Sequence, residues 1–266
     1  MGELVFVGLG LYDEKDLSLR ALKEIKTADK AFAELYTSLM PALKIARLEK
    51  LVEKQVTVVS RKTLEEERGQ QILQEAKNAK VAFLVPGDPM IATTHVDLRI
   101  RAIKMGVRTR IVHGASIISA VMGLTGLQNY KFGRSVTIPF AENGVKTGTP
   151  YNVVMENKKR GLHTLCFLDI RAYEKRYMTI KDGLIALLAM EKKSRKSIVT
   201  LDTLASGVAR AGAPDCHVKA DYVKHVLNHE FGKPPHILVI PGELHFMEAE
   251  ALITLAGAPR KVLELV

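Results

Sequence analysis

The chain has no tryptophan and only two cysteines, Cys166 and Cys216, among its 266 residues. Two thiols so far apart form neither a metal-type pair nor a disulfide framework, and a reducing cytoplasm is the expected compartment. Cys166 lies in an apolar run and is expected to be a buried thiol. No apolar run approaches the roughly 20 residues needed to cross a bilayer. The stretch after Asp13 is too charged for a secretory signal, so no membrane association is expected. A nucleophile elbow, a GxxxxGK[ST] phosphate loop and an HExxH helix are all missing. The eight histidines are scattered. His225 and His229 stand four apart without a convincing third ligand, so no metal site is expected. His95 and His113 read as ordinary polar contacts.

Aromatic residues make up 6% of the chain. The densest basic runs, Lys158-Lys159-Arg160 and Lys192-Lys193-Ser194-Arg195-Lys196, have no aromatics interleaved. Stacking on single-stranded nucleic acid is therefore unsupported, and direct nucleic-acid recognition is not expected. The net charge of +10 either favours an acidic macromolecular partner or reflects a Lys/Arg-rich proteome. At 47% hydrophobic and 26% charged, the chain can bury a sizeable core, and its length suits one large domain or two ordinary ones.

What is present is a series of apolar strands that end on glycine. Val81 to Val85 is a continuous apolar run, as in a strand buried on both faces, and it stops at Pro86-Gly87-Asp88-Pro89. Asp88 thus stands at a strand's carboxyl end, where ligands bind in open α/β sheets. The alternative is that it only shapes the turn. Leu4 to Val7 is an earlier strand, running into Gly8-Leu9-Gly10-Leu11-Tyr12-Asp13. A dinucleotide fingerprint would want a third glycine where Asp13 stands. Asp13, Glu14 and Asp16 crowd that loop and should repel phosphate, which favours a ligand without phosphate or with positive charge.

Further strands are expected at Ala31 to Tyr36, Val56 to Val59 and Val107 to Val112. Helices are expected between them, including Ala42 to Val52, Leu64 to Ala79 opened by Thr63, and Thr94 to Met105. Asp16 or Ser18 should cap a first helix reaching about Ala28. Five strands alternating with helices over 112 residues imply a parallel sheet. The fifth opens on His113-Gly114-Ala115-Ser116-Ile117, where Ser116 can cap a helix or offer its hydroxyl to a ligand.

After that the pattern changes. Strands are expected at Val136 to Ile138, His163 to Ile170, Ser197 to Leu201, Val208 onward and His236 to Ile240. Helices are expected at Ile117 to Leu124, Asn152 to Lys159, Ile180 to Met190, Ala220 to Leu227 and His245 to Ala256. Ala141 to Thr149 reads as a loop. Some strands follow strands directly, so the second sheet should be mixed. The fold class is α/β in two domains, 1–113 and 114–266. Several glycine-lined strand ends without a nucleophile or metal suit a reaction in which a cofactor supplies the reactivity, such as methyl transfer from a sulfonium.

These residues carry a resemblance. Gly8-Leu9-Gly10-Leu11-Tyr12-Asp13-Glu14, Glu34-Leu35-Tyr36-Thr37-Ser38, Pro86-Gly87-Asp88-Pro89 with Ala92-Thr93-Thr94-His95, and Tyr130-Lys131-Phe132-Gly133 occur in the first half. Leu168-Asp169-Ile170, Ala209-Arg210-Ala211-Gly212 and Pro234-Pro235-His236-Ile237-Leu238 occur in the second. Together they resemble the diphthine synthases, methyltransferases of diphthamide biosynthesis within the tetrapyrrole methylase-like class. The GDP turn alone is shared with the wider class.

The resemblance implies a homodimer that binds S-adenosylmethionine in the interdomain cleft. It also implies methylation of the amino group of a modified histidine on translation elongation factor 2. It places cofactor contacts at Leu11, Asp88, Ile91, Ser116, Ile117, Leu168, Ala211 and His236, and assigns no catalytic base. Ile91 is bulkier than the valine expected there.

Overall fold

The computed structural model describes residues 2–141 and 148–266, and the chain divides into two compact units. The expected loop from Ala141 to Thr149 lies largely outside the described residues. The first unit comprises residues 1–117 together with 171–175, and the second comprises 118–170 and 176–266. The sequence boundary after residue 113 falls four residues before the break at 117.

In the first unit the elements are β1 (Glu3–Gly8), α1 (Leu19–Lys26), β2 (Lys30–Glu34), α2 (Ile45–Val52), β3 (Val56–Val59), α3 (Arg61–Glu65), α4 (Gln70–Asn78), β4 (Lys80–Val85), α5 (His95–Lys104) and β5 (Arg108–Val112). The strands form one sheet in the order β3-β2-β4-β1-β5. Every pairing is parallel, as the alternation of strand and helix requires. The inner strands β1, β2 and β4 are apolar along most of their length because both faces are covered, whereas the edge strands β3 and β5 are partly exposed. Val5, Val7, Ala31, Ala33, Ala82 and Leu84 pack with Ala21 and Ile25 of α1 and Leu48 and Val52 of α2. Leu4, Phe6, Phe32, Val81, Phe83 and Val85 pack with Ile72, Leu73 and Ala76 of α4 and Leu98 and Ala102 of α5.

Two sequence expectations are corrected in this unit. The helix from Leu64 to Ala79 is two helices, because Arg68 and Gly69 both take left-handed backbone (φ +57° and +59°) and turn the chain. The opening cap is Ser60, whose Oγ accepts the Thr63 amide at 3.2 Å. Ser18 caps α1 by accepting the Ala21 amide, which leaves Asp16 for another task.

The second unit contains α6 (Ile117–Thr125, whose first residue belongs to the first unit), β6 (Val136–Ile138), α7 (Thr149–Lys158), β7 (Thr164–Leu168), β8 (Ile170–Arg171, whose second residue belongs to the first unit), β9 (Arg176–Tyr177), α8 (Ile180–Ser194), β10 (Leu204–Ala209), β11 (His217–Tyr222), α9 (Val223–Val226), β12 (His236–Ile240) and α10 (Phe246–Ala256). Its main sheet runs β11-β10-β12-β7-β6. It is mixed as expected: β6 and β7 are parallel and the other pairs antiparallel. One face packs on α7 and α8 through Tyr151, Val154, Ile180, Leu184 and Leu187. The expected buried thiol is there too: Cys166 lies in this core, and burial pushes it up to about 12.

Two segments differ from the sequence reading. Ser197 to Leu201 is a turn, because the Glu191 carboxylate takes the amides of Ser197, Ile198 and Val199 away from any ladder. Residues 220–222, read as helix, complete β11, since Leu204↔Tyr222 closes its pairing with β10. Tertiary pairing outweighs a short helical period here.

Glu248 of α10 is fully buried and holds this unit's polar interior. One oxygen accepts the Gln128 amide (2.8 Å) and His163 Nε2 (2.9 Å). The other accepts Lys131 Nζ (2.7 Å) and the His245 amide (2.9 Å). Desolvation pushes the carboxyl up, but these four donors outweigh it and hold it at about 2. His163 accepts from the Gly242 amide on Nδ1 and presents its Nε2 proton to Glu248, so it is a neutral imidazole, and burial lowers its pKa. Because the folded carboxyl lies below its ordinary value of 4.5, its stabilisation is complete above that pH and is lost as pH falls towards about 2. Glu248→Gln turns an NH2 group towards donors and should cost roughly 3–5 kcal/mol in urea unfolding.

Candidate functional site

In the first unit three strand ends meet backbone to backbone. A Cβ on Gly8, at the end of β1, would lie 2.5 Å from both Gly114 N and Gly87 O. One on Gly114, just past β5, would meet the same Gly87 oxygen closer still. Gly87 adopts φ +70°, which lets the chain leave β4 into the turn. Gly10 and Gly87 form a two-hydrogen-bond bridge, with Gly87 N donating to Gly10 O at 2.7 Å and Gly10 N to Gly87 O at 3.4 Å. The loops that carry Leu11, Asp88 and Ser116 are thus brought together, as strand-end logic expects.

The acidic residues after Gly10 have a different role from the one read in the sequence. Asp16 turns inward, and its Oδ2 accepts the amides of Leu11 (2.9 Å) and Tyr12 (2.7 Å). Asp13 accepts the Lys15 amide, and the buried Glu14 pairs with Arg47 at 3.0 Å. These carboxylates build the loop, and of their buried oxygens Glu14 Oε2 has no partner among the described residues. Phosphate is disfavoured because the amides that would cradle it are already bonded to Asp16.

Asp88 is buried, with 7% of its surface exposed. Its Oδ1 accepts the Met90 amide (2.9 Å) and its Oδ2 pairs with His113 Nδ1 (2.7 Å). The turn-shaping role is therefore present, and His113 is the polar contact it was read to be. A carboxylate has about four lone-pair sites, so each oxygen retains acceptor capacity. Ile91 follows, its amide bonded to Asp88 O at 3.3 Å and its side chain exposed. Ser116 and Ile117 are half-buried at the start of α6.

Composition and motif spacing missed a second clasp. Glu34, at the end of β2, and His95, the first residue of α5, are both fully buried and pair at 3.2 Å. Glu34 also accepts the amides of Tyr36 and Thr37 and the Thr37 hydroxyl. It therefore joins the loop after β2 to the end of the loop after β4. A glutamate closing an apolar strand was the available signal, and its partner 61 residues away could not be read locally.

In the second unit Leu168, Ala211 and His236 gather at one end of the sheet. Ala209 pairs with His236, and Ile237 with Phe167, so the same register carried one residue further sets Leu168 opposite His236. Leu168 and Ala211 are buried. His236 Nδ1 accepts the Ile180 amide at 3.4 Å, so Nε2 carries the proton of the neutral ring. That Nε2 is buried and has no partner among the described residues. Burial lowers the pKa of His236, which keeps the ring neutral. No group of three or more His, Cys, Asp or Glu side chains able to hold a metal occurs among the described residues. No helix of the described chain is long and apolar enough to cross a membrane.

The family model of the tetrapyrrole (corrin/porphyrin) methylases matches residues 3–225. The chain belongs to that class of methyltransferases. Diphthine synthase of Methanococcoides burtonii is 49% identical over 98% of both chains. That of Methanocaldococcus jannaschii is 47% identical over 94% of this chain and 97% of its own. A solved diphthine synthase structure, 41% identical, superposes with a TM-score of 0.89 over 99% of this chain and all of the other. Within the class, then, the chain belongs to the diphthine synthases.

Asp16→Ala would strip the Leu11 and Tyr12 amides of their charged acceptor. It should cost roughly 2–4 kcal/mol of first-unit stability in denaturant melts; an unchanged melt would mean the loop does not depend on Asp16.

Proposed function

We propose that this chain uses S-adenosylmethionine to methylate the amino group of the modified histidine of translation elongation factor 2. We further propose that it acts as a cytoplasmic homodimer. The cytoplasm is the compartment that two unpaired thiols favour, and the dimer follows from the family resemblance. The observation that carries the cofactor reading is the unpartnered Nε2–H of His236 beside buried Leu168 and Ala211. A buried donor without a partner costs about 1–3 kcal/mol, and a ring nitrogen of an adenine base would remove that cost. By the family resemblance the strand-end loops of the first unit are cofactor contacts as well. They offer no phosphate cradle, and Asp88 retains lone pairs for an ammonium group.

In this reading the Asp88 turn and the Leu11 loop hold the methionine part. Leu11 contributes through its side chain and carbonyl, because its amide belongs to Asp16. Ile91 covers the turn with an apolar side chain, and Ser116 and Ile117 give a hydroxyl and an apolar wall. The bound cofactor supplies an electrophilic methyl group on a positively charged sulfur. Held there, it would supply that methyl group to a neutral amine of the substrate. No side chain has to form a covalent bond, so orientation and exclusion of water are the protein's contribution.

Isothermal titration calorimetry should show binding of S-adenosylmethionine and of its demethylated product. Asp88→Ala should weaken both about tenfold, or ~1.4 kcal/mol; unchanged affinity would remove Asp88 from the site. With radiolabelled cofactor, elongation factor 2 bearing the diphthamide precursor should take up label and a corrin precursor should not. The reverse pattern would overturn the proposal.

A further inference from the structure

Next to the site proposed in the second unit lies a chain of aromatic contacts that the methyl-transfer reading does not use. His217 opens β11, and Ala209 of β10 pairs with His217 on one side and His236 on the other. The two histidines therefore flank one residue in a single cross-strand row. Phe231 lies over that part of the sheet, since a Cβ on Gly207 would fall 2.7 Å from its Cζ. Its ring stands 5.7 Å from His217 and 6.0 Å from His236, centroid to centroid. His229 closes the group. Its ring is 4.8 Å from Phe231, and its Nε2 is 2.7 Å from His217 Nε2, with the two imidazoles within 14° of parallel.

Phe231 is also tied by its backbone. Its carbonyl accepts Arg210 Nη1 at 2.7 Å, and Lys233 O accepts the same nitrogen at 2.6 Å. The Arg210 amide donates to Pro235 O. Arg210 directly precedes Ala211, and Pro235 directly precedes His236. Segment 229–236 thus reaches both Ala211 and His236, and it is anchored at its far end by the contact between two imidazoles.

We propose that His217 and His229 form a proton-sharing clamp that, through Phe231, positions His236 and the Ala211 loop for the cofactor's base. This rests on the reading of those two residues as cofactor contacts. Two Nε2 atoms at 2.7 Å need one donor and one acceptor, so the clamp is closed while at least one ring is neutral. When both are protonated, two N–H groups and two positive charges face each other and the clamp opens. Lys219 and Asp221 on β11 and Glu230 beside His229 are the charged groups acting on His229, while Arg210 and Asp182 act on His236. Burial, followed by the neighbouring His217, lowers the pKa of His229. Opening therefore comes on the acid side of the ordinary imidazole range, and the clamp is closed above it. His217 and His229 are positioning residues, since they act on the site only through Phe231.

The test is calorimetric binding of S-adenosylhomocysteine from about pH 7.5 down to about pH 5.5, in the full-length protein and in His229→Gln. Glutamine offers His217 either a donor or an acceptor and does not titrate. The wild type should lose about tenfold in affinity over that range and His229→Gln should stay flat, a difference of ~1.4 kcal/mol. A wild-type affinity that does not change with pH would overturn the clamp. A loss that persists in His229→Gln would assign the titration to His236 and overturn it equally. If the folded wild type binds no cofactor at any pH, the cofactor reading fails, and amide hydrogen exchange of residues 228–233 still decides the clamp. Faster exchange in the wild type than in His229→Gln at about pH 5.5 would support it, and equal exchange would sink it.

Discussion

The candidate site of the first unit depends on the close approach of three main chains, at Gly8, Gly87 and Gly114. A side chain at Gly8 or Gly114 would overlap backbone atoms, which have no rotamer to move into. Because these strand ends touch, the loops beyond them are short-range neighbours. The Gly10–Gly87 bridge and the Asp88–His113 pair then fix their orientation. Glu34 and His95 add a fourth loop to the group. The parallel sheet, whose inner strands are buried on both faces, supplies the base on which this construction stands.

Charge placement follows from the same economy of backbone groups. At several loops a carboxylate is turned inward to accept amides that would otherwise be bare. Asp16 serves Leu11 and Tyr12, Glu34 serves Tyr36 and Thr37, and Glu191 serves Ser197 to Val199. Glu248 does this for Gln128 and His245 while also neutralising Lys131. These acids shape the loops they sit in, and at the glycine loop Asp16 occupies the amides that a phosphate would need. His236 is different: one nitrogen is satisfied by the chain and the other is not. Ser206 Oγ on β10 is the other buried side-chain donor of the second unit without a partner among the described residues, and His236 is the one that stands beside Leu168 and Ala211.

Fold class was legible because periodicity is local. Continuous apolar runs at Leu4 to Val7 and Val81 to Val85, separated by helical periods, sufficed for a parallel sheet, and adjacent strands in the second half sufficed for a mixed one. Turn chemistry placed the ends of β1, β4 and β5, and the motifs GLGLYDE, LYTS and PPHIL were specific enough to indicate the family. Element limits failed where a side chain or a neighbouring strand took over the backbone. Glu191 removed an expected strand, and the ladder from Leu204 to Tyr222 replaced the start of an expected helix.

The sequence by itself determined two α/β units and their strand-end glycines, because each of these is written in residues close together in the chain. Tertiary structure alone decided what those residues do. Asp16 became an anchor and Asp88 the partner of His113. His217, His229 and Phe231 were set around His236. Each of those roles depends on groups brought together by strand order and register, and separation along the chain says nothing about which strand ends meet.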